Sequence, residues 1–230
     1  MEYDDVIKKL ENLKNPKAAE GMARYGITPK KVYGVSIPNL SQIAKEIGKN
    51  HGLAQQLWES NIRETRILAC MIDDPEMVSE EQMEDWVKDF DYWEICDQCI
   101  MKLFKNTRVA YKKAFEWSSK KEEFVKRAGF VLIACLAASD KEAENEQFEK
   151  FLQIIKRESN DNRVYVKKAV NWALRQIGKR NQELNRKAIK TAKEIQEYES
   201  QSAKWIASDA LRELKSEAIQ KRLKKKKTQK

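Results

Sequence analysis

Three thirteen-residue segments in the second half of this chain align without a gap: FVKRAGFVLIACL at 124–136, YVKKAVNWALRQI at 165–177 and SAKWIASDALREL at 202–214. Their starts lie 41 and 37 residues apart. Each carries a basic residue near its start, then small and aliphatic positions at helical spacing. RETRILACMID at 63–73 is a looser relative. A period near 40 accommodates two helices per unit, and units that cannot bury an apolar face alone must stack on their neighbours. An ordinary helical bundle with similar buried helices is the competing reading, but the shared order of basic, small and aliphatic positions favours a solenoid.

The rest of the chain agrees with an all-α protein. Gly and Pro number only 7 and 4 in 230 residues, which favours helix over sheet. Helices are expected at about 3–13, 16–24, 38–49, 51–60, 62–72, 79–89, 92–104, 107–118, 121–137, 143–157, 162–179, 182–196 and 201–217. Pro16 after Asn15 suits the first turn of a helix, and Ser79 with Gln82 forms a capping-box pattern. The one long loop expected is about 25–37, with Gly26, Pro29 and Gly34. The predicted architecture is an all-α, HEAT-like helical-repeat solenoid, an α-α superhelix whose curvature leaves a concave face for a rod-shaped ligand. Residues 1–220 are expected to form a single domain, and 221–230, KRLKKKKTQK, a basic disordered tail.

Charge is unevenly spread. Residues 1–100 hold 12 Lys/Arg against 19 Asp/Glu, 101–220 hold 26 against 17, and 221–230 add seven cations. The second half is therefore the one suited to a polyanion such as duplex DNA; a solvated surface is the plain alternative. No apolar run reaches the ~20 residues that span a bilayer, and the charged start MEYDDVIKKLENLK lacks a signal core. Four Cys in a chain this long make no disulfide framework. A cytoplasmic, non-membrane monomer is expected. His51 is the single histidine, so no His-based metal site or serine or cysteine triad can be assembled; Walker and dinucleotide fingerprints are absent. Cys96 and Cys99 form a CxxC inside an apolar run, with no second pair at ligand spacing; small buried residues explain them better. Neither metal nor cofactor is expected.

Two stretches are candidates for chemistry. In FDYWEICD, Trp93 and Asp97 are four apart and share a helix face. A carboxylate beside an indole in an apolar segment is costly without a task or a partner; an ion pair with a neighbouring lysine would also satisfy it. In NWALR, Trp172 and Arg175 are three apart and again share a face. Lys126 and Arg127 open one repeat helix, and Lys167 and Lys168 open the next. Basic groups at equivalent places could form a ladder along one groove for phosphates, or be ordinary solvated helix starts. Cleaving the glycosidic bond of a cationic alkylated purine builds positive charge on the deoxyribose. A fixed carboxylate stabilises that charge and orients water, and indole faces attract cations. Because the leaving base is already cationic, little acid catalysis is needed, which suits a site without His.

At these residues the chain resembles the AlkD family of HEAT-like repeat DNA alkylation repair glycosylases. The likeness runs over most of 10–215 and includes Met22-Ala23-Arg24-Tyr25, Trp93 with Asp97, Arg127 in VKRA, and Trp172 with Arg175 in KKAVNWALR. It implies about six two-helix repeats with double-stranded DNA carrying alkylated bases on the concave face. It implies Asp97 as catalytic carboxylate, with Trp93 and Trp172 against the damaged nucleotide's sugar. Tyr25 would stand nearby, and Arg127 and Arg175 would meet the backbone, with Lys126, Lys167 and Lys168 as further DNA contacts. It implies a monofunctional glycosylase that hydrolyses the bond to purines alkylated at ring nitrogens three and seven, without swinging the base into a pocket. The family's site usually opens with two tryptophans and an Asp, whereas this chain has Tyr92-Trp93-Glu94. Relatives on the same fold bind DNA structures with little excision, so the alternative is a non-catalytic HEAT-like protein recognising branched or distorted DNA. A helical-repeat scaffold for a protein partner is a third reading.

Overall fold

The computed structural model describes residues 1–228, and among them there is helix, turn and loop but no strand. Backbone contacts divide the chain into two compact units, 1–110 and 111–230. The first holds α1 (Tyr3–Asn12), α2 (Pro16–Met22), α3 (Ile37–Ile47), α4 (His51–Glu59), α5 (Arg63–Ile72), α6 (Glu80–Lys88) and α7 (Trp93–Lys102). Helix α8 (Ala110–Ser118) begins at the division. The second unit continues with α9 (Glu123–Ser139), α10 (Asn145–Glu158), α11 (Val164–Gly178), α12 (Gln182–Gln196), α13 (Gln201–Leu214) and α14 (Glu217–Thr228).

In both units alternate helices stack on one another. α5 packs against α3 and α7 in the first; α11 packs against α9 and α13, and α10 against α12, in the second. That next-but-one pattern is the two-helix repeat that the sequence period predicts. The most apolar repeat helix, α9, is buried on every side from Lys126 to Ala137, as expected of a helix without a polar stripe. Gly129 within it permits this: a Cβ there would lie 2.3 Å from the backbone nitrogen of Ser118, so only glycine lets α9 and the end of α8 approach so closely. In the first unit the core gathers Leu40, Leu57, Ile67, Leu68, Ile95 and Ile100, all fully buried.

The helix starts use the expected chemistry. The Asn15 side chain accepts from the Ala18 amide at 3.1 Å with Pro16 in the first turn. Ser79 Oγ accepts from the Gln82 amide at 3.0 Å, satisfying a donor the helix leaves orphaned. The Gln82 side chain does not close the box; it donates to Asp73 at 2.7 Å. The tail differs from the disordered extension expected at 221–230: α14 runs through Thr228, and Leu223 is buried. Ser216 and Leu223 give the basic run a start and an apolar anchor, enough to continue the helix. Residues 229–230 of that expectation lie outside the described residues. No described helix is long and apolar enough to cross a membrane.

Candidate DNA-processing site

Tyr25, Trp93 and Asp97 come together in the first unit. Trp93 opens α7 and Asp97 lies one turn on, both half-buried. The Trp93 indole N–H donates to the Tyr25 carbonyl at 2.8 Å, which fixes the ring, while the Tyr25 side chain is 75% exposed. An aromatic held at its polar edge and a carboxylate thus share one helix face, with the Tyr25 backbone against the indole.

A buried ionic cluster sets the position of this helix. Arg63, at the start of α5, grips Glu94 with two parallel bonds, Nε to Oε2 at 2.7 Å and Nη2 to Oε1 at 2.6 Å. Its Nη1 donates to Glu64 Oε1 and to the Val35 carbonyl, both at 3.0 Å. Glu64 in turn accepts the backbone N–H groups of Tyr33, Gly34 and Val35 at 2.9, 2.9 and 3.1 Å. Burial works against the guanidinium charge, but the bonds and charges of Glu94 and Glu64 outweigh it and hold the Arg63 pKa above its ordinary value. Gly34 is needed in this loop: its φ is +81°, and a Cβ would lie 2.1 Å from the Asn15 carbonyl oxygen. The departure Tyr92-Trp93-Glu94 is therefore structural. Glu94 points into the Arg63 clamp, and the Tyr92 ring is buried, its phenol pushed well up by burial first and by Glu94 next. Sequence reading missed Arg63, Glu64 and Glu94. The local signal is the polar opening Arg63-Glu64-Thr65-Arg66 ahead of the apolar run at 67–72.

The second unit carries the remaining candidates. Trp172 is half-buried on α11. Arg175, one turn along, donates to Glu213 at 2.7 Å and lies 3.4 Å from Asp209 on α13. Lys167 sits over the Trp205 ring, 5.1 Å from its centroid, and Lys168 is exposed. The ladder of basic groups takes a different form from the one expected. Lys126 is 9% exposed and bonds Glu158 at 2.6 Å and Asp161 at 3.3 Å. Arg127 is 6% exposed and donates to the Tyr165 carbonyl at 2.7 Å. Because α9 is buried all round, its opening cations join neighbouring repeats instead of facing solvent. Trp205, 41% exposed beneath Lys167, went unnoticed because it aligns with the basic Arg127 and Lys168.

All four cysteines are buried thiols, with Cys99 pushed well up by burial and by its bond to Cys70. Among the described residues no group of three or more His, Cys, Asp or Glu is placed to hold a metal ion.

Comparison with known proteins agrees with this architecture. The chain is 25% identical over 197 residues to the uncharacterized protein Lin0241 of Listeria innocua, covering 84% of this chain and 86% of that one. Its fold matches, with a TM-score of 0.76 and 22% identity over 84% of this chain and 83% of the other, a protein described as one of a new family related to the HEAT-like repeat DNA glycosylases, with affinity for branched DNA structures. Residues 6–214 match the family model described as DNA alkylation repair enzyme, and the chain belongs to that family.

Proposed function

We propose that this protein is a monofunctional DNA glycosylase that hydrolyses the N-glycosidic bond of cationic, alkylated purines in duplex DNA. The observation that carries this reading is the Trp93–Asp97 pair on α7, its indole tied to the Tyr25 carbonyl. In the reaction the bond from C1′ to the purine breaks, and its electron pair leaves with the base and quenches the base's positive charge. Positive charge grows on the sugar as the bond stretches. Asp97 stabilises that charge and orients the water whose oxygen joins C1′, one proton passing to solvent. Trp93 offers its indole face to the same cationic centre. In the first unit Tyr25 serves DNA binding, and in the second Trp172, with its own indole face, and Lys167, Lys168 and Arg175 do. Lys126 and Arg127 act through the packing of α9 against its neighbours, and double-stranded DNA is the expected partner of a monomer.

The test is Asp97→Asn, which keeps shape and removes charge. Excision of a methylated purine from a labelled duplex should fall by about 100- to 1000-fold, while duplex affinity stays within a small factor. Equal rates in the two proteins would make Asp97 structural. Absence of excision by the wild type, with tight binding to forks and junctions, would favour the second reading, a non-catalytic binder of branched DNA. The fold match to a protein with affinity for branched DNA and the assignment of Glu94 to the clamp motivate that reading.

A further inference from the structure

A cleft of about 900 Å³ opens in the second unit where the ends of α9 and α11 meet the start of α12, with α14 along one side. Its charged lining is Lys141, Lys179, Arg180, Arg186 and Arg222, against a single carboxylate, Glu183. Part of this charge has structural work. Arg180 donates to the Ala137 and Ala143 carbonyls, both at 3.0 Å, Lys141 to the Ala138 carbonyl at 2.6 Å, and Arg222 to the Lys179 carbonyl at 3.1 Å. Lys179 is paired with Glu213 at 2.7 Å.

The magnitudes show that capping does not consume the charge. A helix C-terminus carries about half a negative charge, so the ends of α9 and α11 together offset about one cation. Glu213 offsets Lys179, and Asp140 acts on Arg180. Glu183, engaged by Lys187 at 2.8 Å and by Asn145 at 2.9 Å, also acts on Arg186. Carbonyl oxygens accept from Lys141 and Arg222 without cancelling their charge. A surplus of about one to two positive charges remains in a concave space, where field lines are focused. Lys141, Arg186 and Arg222 are all exposed, so an anion can reach them.

The position of the cleft selects the anion. Lys179 follows Trp172 by seven residues, about 10 Å along an α-helix at 1.5 Å per residue. That is about three base pairs of a duplex at 3.4 Å each. We infer that this cleft binds consecutive backbone phosphates of the DNA strand flanking the nucleotide at Trp172, with Lys141, Arg186 and Arg222 as the contacting groups. The inference rests on the DNA-binding reading above and adds a second, base-independent contact to it.

The experiment is a salt titration of binding to a long labelled duplex, by anisotropy, for wild type, Arg186→Gln and the Lys141→Ala/Arg186→Gln/Arg222→Ala triple variant. Each phosphate contact contributes about 0.9 to the slope of log affinity against log salt. The slope should fall by about one for Arg186→Gln and by about two to three for the triple variant. Arg186 is exposed on α12, so the single variant keeps the question open to refutation even if the triple variant folds poorly. Wild-type slopes in Arg186→Gln and in a folded triple variant would overturn the cleft while leaving the DNA reading intact. A wild type that fails to bind duplex at any salt would overturn the DNA reading, and the cleft with it.

Discussion

The two units solve the same packing problem with different materials. In residues 1–110 the helices are 7–11 residues long, whereas α9 to α14 run 12–17. The first unit holds 15 Lys/Arg against 19 Asp/Glu, the second 30 against 17. In the first, side chains that join successive repeats are 31 residues apart, as in Arg63 with Glu94, Trp58 with Asp89, and Glu64 with Tyr33. In the second the interval that recurs most is 38, as in Arg127 with Tyr165, Asn171 with Asp209, Arg175 with Glu213, and Lys156 with Glu194. Short repeats leave little apolar area per helix, and the first unit adds a buried ionic clamp that fixes geometry near Trp93. Longer repeats bury more apolar area and leave most of their charges outside, Lys126 and Arg127 excepted. One unit is suited to hold a small constellation still, the other to present a positive field.

Breaking the clamp should give the largest effect. Arg63→Ala leaves Glu64 and Glu94 buried without their cation, and removing one partner of a buried pair costs about 3–5 kcal/mol. Urea unfolding should show that loss. A change under 1 kcal/mol would mean that the clamp does not organise the first unit.

Acid should act next, on the second unit. Burial alone would raise the carboxyls of Asp140, Asp161 and Glu213. Hydrogen bonds from Tyr111 and two backbone amides at Asp140, from Arg163 and Lys126 at Asp161, and from Lys179 and Arg175 at Glu213 outweigh it and hold all three below their ordinary values. A depressed native pKa means that the unfolded chain binds more protons. The stabilisation is thus complete above the ordinary carboxylate range and fades as pH falls through the native values, below about pH 4. The difference in urea midpoint between wild type and Asp161→Asn should be constant near neutrality and shrink below that pH. A difference unchanged at the acid end would contradict the assignment.

The smallest effect belongs to the outer face of the second unit. Lys187 bridges Glu149 and Glu183 with side chains 34–48% exposed. Lys187→Ala should cost about 0–1 kcal/mol, as exposed pairs do. A loss comparable to that of Arg63→Ala would erase the contrast between the units.

Helices were the legible part of the sequence. All thirteen expected segments are present, because apolar spacing and Asn or Ser caps act locally. The added α14 escaped a reading based on charge, since Leu223 is a single apolar anchor in a basic run. The site was legible where two residues share one helix face, as Trp93 and Asp97 do. Partners were not. Lys126 and Lys167 occupy the same place in their repeats, yet one is buried against Glu158 and Asp161 and the other lies over Trp205. Repetition specifies where a side chain starts, and the residues of the next repeat, 32 and 35 positions on for Lys126 and 38 for Lys167, decide what it meets.

That interval has a consequence for how such a chain can change length. Seven cross-repeat bonds of the second unit, from Ser119–Arg157 to Arg175–Glu213, share the spacing of 38. The aligned helix starts lie 41 and 37 residues apart, so the block that returns a helix to an equivalent place is the local repeat, 41 residues between α9 and α11 and 37 between α11 and α13. A block that is not a whole local repeat shifts the register and strands each donor beside the wrong turn of the next helix. The second unit can thus grow or shrink by whole modules, while the 31-residue beat of the first, interlocked through Arg63, Glu64 and Glu94, allows no such editing without dismantling the seat of Trp93.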